Sequence, residues 1–432
     1  MLVITIVIIL FVLLVGRLIL KKYDFLTLYC MIWLLVVSVR LSRMDDVIAV
    51  SDDACIVTFL SVVFFGLGYL LLSKKNITAS RLRQYSIAPR RHEIRVKVIF
   101  FFLIIVAIFY IIQAIKVHAL FAMGLSMDTI RYEYVTKGEI FTPVEQIISS
   151  WLTAPFVQYM IIPLNVCCLL SSSITKKTKT AIVLFSLIDI SLYMYVILGK
   201  DNLIYYSLSL ILLPTQFEIK KKYIKIIYST IAGIFAVVFL LQWMRSDGES
   251  KDLNFIYGYL GISLNLFDYW SEHIDSSHMQ TSGLAFFYGP INVFVSVISK
   301  FGVEWPYFEK LTDFIGDCIS TGVTVYPSQG ATTNVYITHN FFFYMDGGLF
   351  GVVLGNFIYG AFVAIVLRLR RLRKNYNEPN MIVVENLVCV GALCCFIYWP
   401  FYSTPYCLSF VLLYICFKRN RVSVKLNKYE KS

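Results

Sequence analysis

Three cations lie where apolar stretches of the chain turn round. Arg131 sits in GLSMDTIRYEYVTKGE (124–139) between Ile130 and Tyr132, Lys200 in the tight turn GKDN (199–202), and Arg245 in QWMRSDGE (242–249). At a dry boundary an Arg or Lys is a strong partner for phosphate, because its charge-assisted hydrogen bonds gain strength as water is excluded. Each is therefore placed where a membrane-anchored anionic head group would sit. Ordinary ion pairing is the alternative, Arg131 with Glu133 or Glu139 and Lys200 with Asp201. Three such cations on a side of the chain that is otherwise net acidic favour anion binding as a set.

A fourth group, TTNVYITHNFFFYMDGGLFGVVLGNFIYG (332–360), carries Asn334, Tyr336, His339, Asn340 and Asp346 ahead of Gly347, Gly348, Gly351, Gly355 and Gly360. Glycines at such spacing let a helix approach its neighbours closely. His339 is a candidate general base, since its ordinary pKa lies near neutrality; a hydrogen-bonded structural histidine is the competing reading. Asp346 competes for the base role or fixes the start of the following helix. Aromatic residues crowd 244–337, Trp270 among them, and suit either an interfacial belt or the stacking of sugar rings. His273 and His278 are expected to be solvated. Asp189 falls inside an apolar stretch, where a carboxylate is a functional candidate unless His118 or Lys116 on a facing helix pairs with it.

The elements that position these residues are apolar segments. The chain has 432 residues, is 58% hydrophobic and has a mean hydropathy of +0.71. Eleven spans are expected, at 1–20, 24–40, 54–73, 98–118, 146–172, 181–198, 201–219, 226–243, 341–367, 381–398 and 399–417, each near the ~20 residues a helix needs to cross a bilayer. Helices satisfy their own backbone hydrogen bonds in lipid, so the predicted fold is all-α: one polytopic membrane domain over 1–432 with a large extracytoplasmic loop at 244–337. Residues 1–20 have Arg17 at the wrong end for a secretory signal and are expected to remain as a span.

Charge sorts along this topology. Alternate connections hold 29 of the 39 Lys and Arg, whereas 20 of the 27 carboxylates lie on the other side. The positive-inside rule then assigns the basic side to the cytoplasm and the loop 244–337 and the N-terminus to the outside. The formal charge of +12 is thus a topology signal and implies no nucleic-acid partner. Residues 284–299 are apolar but short and broken by Gly-Pro, which suits a segment lying in or dipping into the interface. The ten cysteines show no disulfide framework or metal-type spacing, and only Cys318 falls clearly in an outer loop. There is no nucleotide-binding loop, no paired-carboxylate metal motif and no internal repeat, so neither cofactor nor metal is expected.

On these residues the chain resembles the Wzy-type O-antigen polymerases, the oligosaccharide repeat-unit polymerase family. The resemblance rests on the number of spans, one large external loop late in the chain, and an Asn-Tyr followed by Asp-Gly-x-x-Gly, here Asn334, Tyr336, Asp346, Gly347 or Gly348, and Gly351. Arg131, Lys200 and Arg245 occupy the family's cationic places. Lys200 replaces the more usual Arg, and Gly-Gly follows Asp346 where an aromatic and a Gly are common.

The resemblance implies a GT-C-like helical fold in a bacterial inner membrane, with a metal-independent glycosyl transfer facing the periplasm. The donor would be a growing glycan on polyprenyl pyrophosphate and the acceptor a lipid-linked repeat unit. Arg131, Lys200 and Arg245 would hold the pyrophosphate, Asn334, Tyr336 and Trp270 the glycan, and His339 or Asp346 would accept the proton. Membrane lipid and a chain-length regulator protein are the other implied partners. A lipid-linked oligosaccharide flippase or transporter and an O-antigen ligase are the alternatives.

Overall fold

A computed structural model describes residues 1–20, 24–42, 48–73, 91–131, 140–171, 173–198, 201–216, 254–326, 331–333, 337–373 and 378–420, with the isolated positions 225, 229 and 233. Arg245, Lys200, Asn334 and Tyr336 lie outside the described residues, as does the expected span 226–243 apart from positions 229 and 233. Among the described residues the chain is almost entirely helical, and seven helices are long and apolar enough to cross a membrane. It is an all-α polytopic membrane protein.

The helices, in chain order, are α1 (Leu2–Leu20), α2 (Phe25–Leu41), α3 (Asp52–Ser73), α4 (Val96–Ala122), α5 (Pro143–Leu169), α6 (Lys176–Ile197), α7 (Asp201–Gln216), α8 (Asn254–Ser277), α9 (Tyr288–Ile298), α10 (Pro306–Ser320), α11 (His339–Arg373), α12 (Pro379–Leu393) and α13 (Thr404–Cys416). Two short hairpin-like pairings accompany them. Strand β1 (Arg91–Ile94) pairs antiparallel with β4 (Phe417–Asn420), and β2 (Val323–Tyr326) with β3 (Ala331–Thr333). Within α5 the backbone widens to π-helical turns at Ser149–Thr153 and Pro155–Met160. Pro155 has no N–H to donate, so the regular hydrogen-bond ladder is interrupted there.

Contacts between connections sort the bundle into two ends. At the acidic end the Met1 amino group lies 3.7 Å from Asp52, and the Ser51 N–H donates to Asp268 at 2.7 Å. At the basic end β1 pairs with β4, the Arg95 N–H donates to the Cys416 carbonyl, and the Arg368 guanidinium donates to the Leu72 carbonyl at 3.3 Å. Connections expected on the same side of a membrane therefore meet each other.

The single helix expected over 341–367 is a correction. Residues 339–346 and 349–373 are two helical arms that fold back on each other at Gly347 and Gly348. Gly348 has φ +58° with ψ −140°, a conformation reserved for glycine. The arms touch backbone to ring: a Cβ on Gly351 would lie 2.1 Å from the Phe343 carbonyl oxygen, and one on Gly355 2.7 Å from the Phe343 ring. The long arm then lies against α3 with the same intimacy. Added Cβ atoms would come within 2.1 Å of the Phe357 carbonyl oxygen at Gly68 and of the Phe65 carbonyl oxygen at Gly360. Small residues thus bring α3 and α11 together, as helices in lipid require when water supplies no driving force between them.

The long loop 244–337 is largely helical in its described part. Helix α8 buries residues 261–267 alongside α2, α3 and α11, and α10 buries Phe308, Leu311, Ile315 and Cys318 on one face. Three- and four-residue spacing of those four gives α10 an amphipathic pattern that seats it as a cap.

Candidate functional site

Asp346 stands at the tip of the α11 hairpin and collects the chain that follows α8. Its Oδ1 accepts from the Thr281 hydroxyl at 2.6 Å and from the N–H groups of Gly283 at 2.8 Å and Ala285 at 3.0 Å, while Oδ2 accepts from the Phe286 N–H at 2.7 Å. The Phe286 carbonyl in turn accepts from the Trp399 indole N–H at 2.8 Å. One carboxylate therefore ties three segments that are far apart in sequence. With both oxygens engaged, Asp346 holds these segments together, and Oδ2 accepts a single one of the four bonds.

Below the tip, His339 is fully buried. Its Nδ1 lies 3.0 Å from the Cys395 carbonyl and its Nε2 2.7 Å from Asn356 Oδ1 and 3.3 Å from Ser61 Oγ. Ser61 Oγ donates to Asn356 Oδ1 at 3.0 Å, and Asn356 Nδ2 donates to Asn340 Oδ1 at 3.1 Å and to the Val352 carbonyl at 2.8 Å. The rings of Trp33, Phe343 and Trp399 surround the imidazole at 4.9–6.3 Å from one another or from it. A substrate hydroxyl cannot reach His339 in this conformation. The side chain knits α3, both arms of α11 and the segment after α12.

Arg131 is half-buried at the acidic end, beyond α4. The neighbouring rim is organised by Glu145, which accepts from Lys116 Nζ at 2.7 Å, from Gln113 Nε2 at 2.8 Å and from the Thr142 N–H at 2.8 Å. The ends of α4 and α6 meet where the Phe121 and Tyr195 rings are 6.4 Å apart, so Arg131 and Leu198 share one end of the bundle. Leu198 is held at φ +50° as the C-terminal cap of α6. A left-handed leucine is rare and persists only where its surroundings hold it.

One expectation is corrected here and one open alternative is decided. Trp270 is 4% exposed, its ring enclosed by Tyr269 and His273, and offers no face for a sugar to stack on. Asp189 is paired with neither Lys116 nor His118: Lys116 is held by Glu145, and His118 lies 3.5 Å from the Tyr195 hydroxyl. Instead both Asp189 oxygens are fully buried without a hydrogen-bond partner among the described residues, on the stripe Ser186, Asp189 and Tyr193 that α6 turns inward. His273 stacks on Phe314 at 5.5 Å, and His278 is exposed.

Ser61 and Asn356 were missed in the sequence. Each is a lone polar residue in an apolar span, and a buried polar group in lipid needs a partner. That signal was available, but their pairing depends on the hairpin. The bundle is thus a polytopic all-helical membrane protein with a polar knot at one end. The chain matches no protein-family model, no curated protein and no solved structure.

Proposed function

We propose that this chain is a membrane-embedded glycosyltransferase of the repeat-unit polymerase class, with a GT-C-like fold and its site at the acidic end, facing the outside of a bacterial cytoplasmic membrane. The observation that carries the reading is the pair Asp346 and Gly351. These residues bear the resemblance, and both are constrained: Asp346 by its ties to Thr281, Gly283, Ala285 and Phe286, Gly351 by the Phe343 carbonyl. Charge sorting along the chain adds support, since it puts the connection that carries α9 and α10 on the non-basic side.

In this reading the acceptor hydroxyl of a lipid-linked repeat unit attacks the anomeric carbon of the growing glycan. The bond to polyprenyl pyrophosphate breaks, and the hydroxyl proton passes to a base. Arg131, Lys200 and Arg245 hold the leaving pyrophosphate, and a preorganised donor in such a place is worth about 3 kcal/mol. Asn334 and Tyr336 contact the glycan. His339 can accept the proton only if the 339–346 arm withdraws; as it stands, the residue positions the hairpin. A chain-length regulator is the protein partner this activity would have.

Purified protein incubated with lipid-linked repeat units tests the reading directly. A ladder of products supports polymerisation, and one transfer to a different lipid acceptor supports ligation. Arg245→Ala and Lys200→Ala should each lose extension while inserting normally, and undiminished ladders from both would remove the clamp. Asp189 favours a second reading, movement of the lipid-linked oligosaccharide across the bilayer, because it has no partner among the described residues and carboxyls inside spans often mark transport paths. Translocation without bond formation in the same vesicles would select it.

A further inference from the structure

Helix α13 has 13 residues and α9 has 11, so at about 1.5 Å per residue neither crosses a hydrocarbon core of about 30 Å. Their packing shows how the wall is completed. Gly289 is pressed against α13, where an added Cβ would lie 2.2 Å from the Phe401 carbonyl oxygen and 2.8 Å from Cys407 Sγ, and Asn292 Nδ2 donates to Thr404 Oγ1 at 2.9 Å. Over residues 404–410, the half of α13 nearest the acidic end, no side chain is exposed. Towards the basic end α13 is bare and apolar, with Val411 56% and Tyr414 76% exposed.

The side of α9 turned away from α13 is bare in the same way. Phe287, Pro290, Phe294, Val297 and Phe301 recur every three or four residues and form one stripe, Phe294 being 60% and Phe301 81% exposed. Lys300, Glu304, Trp305 and Tyr307 follow at its far end, the mixture of charge and polar-tipped aromatics found at a membrane surface. A contiguous apolar stripe of this kind is uncommon on a surface that meets water.

We infer that residues 287–301 form a half-depth segment embedded in the leaflet at the acidic end, where the Phe287–Phe294–Phe301 stripe binds the acyl chains of bilayer lipid. Helix α9 takes the place of lipid along α13 and carries the lipid-facing surface outward from Val411 and Tyr414. The occupant is the bilayer because the stripe continues a face that is already bare and apolar on a membrane-crossing bundle. The inference needs only the polytopic fold and is independent of glycosyl transfer.

Nitroxide labels on Phe294→Cys and Phe301→Cys, in protein reconstituted into phosphatidylcholine vesicles, test this, with Glu309→Cys on α10 as the aqueous reference. The ratio of relaxation by oxygen to relaxation by a water-soluble nickel chelate should be several-fold higher at 294 than at 309, with 301 between them. A ratio at 294 equal to that at 309 would put the stripe in water, and a label at 294 relaxed by neither agent would put it against protein; either overturns the inference. The unmodified protein gives an independent reading through phospholipids carrying a diazirine on the acyl chain. Photolabel should mark 287–301 together with Val411 and Tyr414, and label on α13 alone would sink the proposal.

Discussion

Asp346 holds Phe286 by its backbone, with the Phe286 N–H 2.7 Å from Oδ2, across 60 residues of sequence. This contact closes the loop after α8 onto the tip of the α11 hairpin and, through the Phe286 carbonyl, onto Trp399. Asp346→Asn replaces one acceptor oxygen with an NH2 facing N–H donors. The expected loss is about 2–4 kcal/mol, because hydrogen bonds to a charged group contribute about 1.5–3 kcal/mol each and an orphaned donor costs more. Thermal unfolding in detergent should show it, accompanied by faster proteolysis within 278–287.

His339 and Asn356 should behave as a coupled pair. Replacing either by Leu leaves the other buried with an unmet polar atom, at a cost of about 1–3 kcal/mol. His339→Leu with Asn356→Leu together should cost less than the two single losses added, and the unfolding midpoints of the four proteins form the cycle. Additive losses would mean that the imidazole and the amide do not depend on each other.

Gly360 and Gly316 make an internal contrast. Gly360→Ala forces a methyl to within 2.1 Å of a backbone oxygen in α3, and the separation of helices it demands should cost about 3 kcal/mol or lower the yield of folded protein outright. Gly316→Ala on α10 meets nothing within 4 Å and should stabilise by about 0.5–1 kcal/mol through lost freedom of the unfolded chain. Melting temperatures of the two variants should move in opposite directions.

Asp189 places a carboxyl without partners among the described residues in the bundle interior. Removing such a group relieves the cost of burying it, so Asp189→Leu should be neutral or raise stability by about 1–3 kcal/mol. A loss of stability would show that the carboxyl has a partner in the folded protein.

Cys318 should be inert to maleimide at neutral pH in the folded protein. Burial, with Asp317 adding to it, pushes its thiol up to about 12. A raised pKa leaves less thiolate at any lower pH, and the thiolate is the nucleophile. Labelling should appear only when the protein is unfolded or the pH approaches that value, as mass spectrometry of the 306–320 peptide would report.

Much of the scaffold was legible from hydropathy alone. Nine of the eleven expected spans fall on single helices, although α13 fills only 404–416 of 399–417; 341–367 falls on the folded-back arms of α11, and 226–243 is described only at 229 and 233. Asp346 and the glycines were conspicuous because residues of those types in an apolar setting need a reason. What they do was not legible. Gly347 and Gly348 read as helix-packing glycines, yet they turn the chain, since periodicity cannot distinguish one long apolar helix from two shorter arms folded back.

The sequence by itself determined that this chain lives among lipids and that its basic and acidic connections alternate, because apolar length and charge are properties of residues taken in order. Tertiary structure alone decided that His339 is sealed against Ser61 and Asn356, that Trp270 is covered and that Asp189 is buried away from Lys116 and His118. Burial and hydrogen-bond pairing are set by which segments face each other. That choice was made by the turn at Gly348 and by the close contact of α3 with α11; the glycine series signals a close approach but not which segment is met.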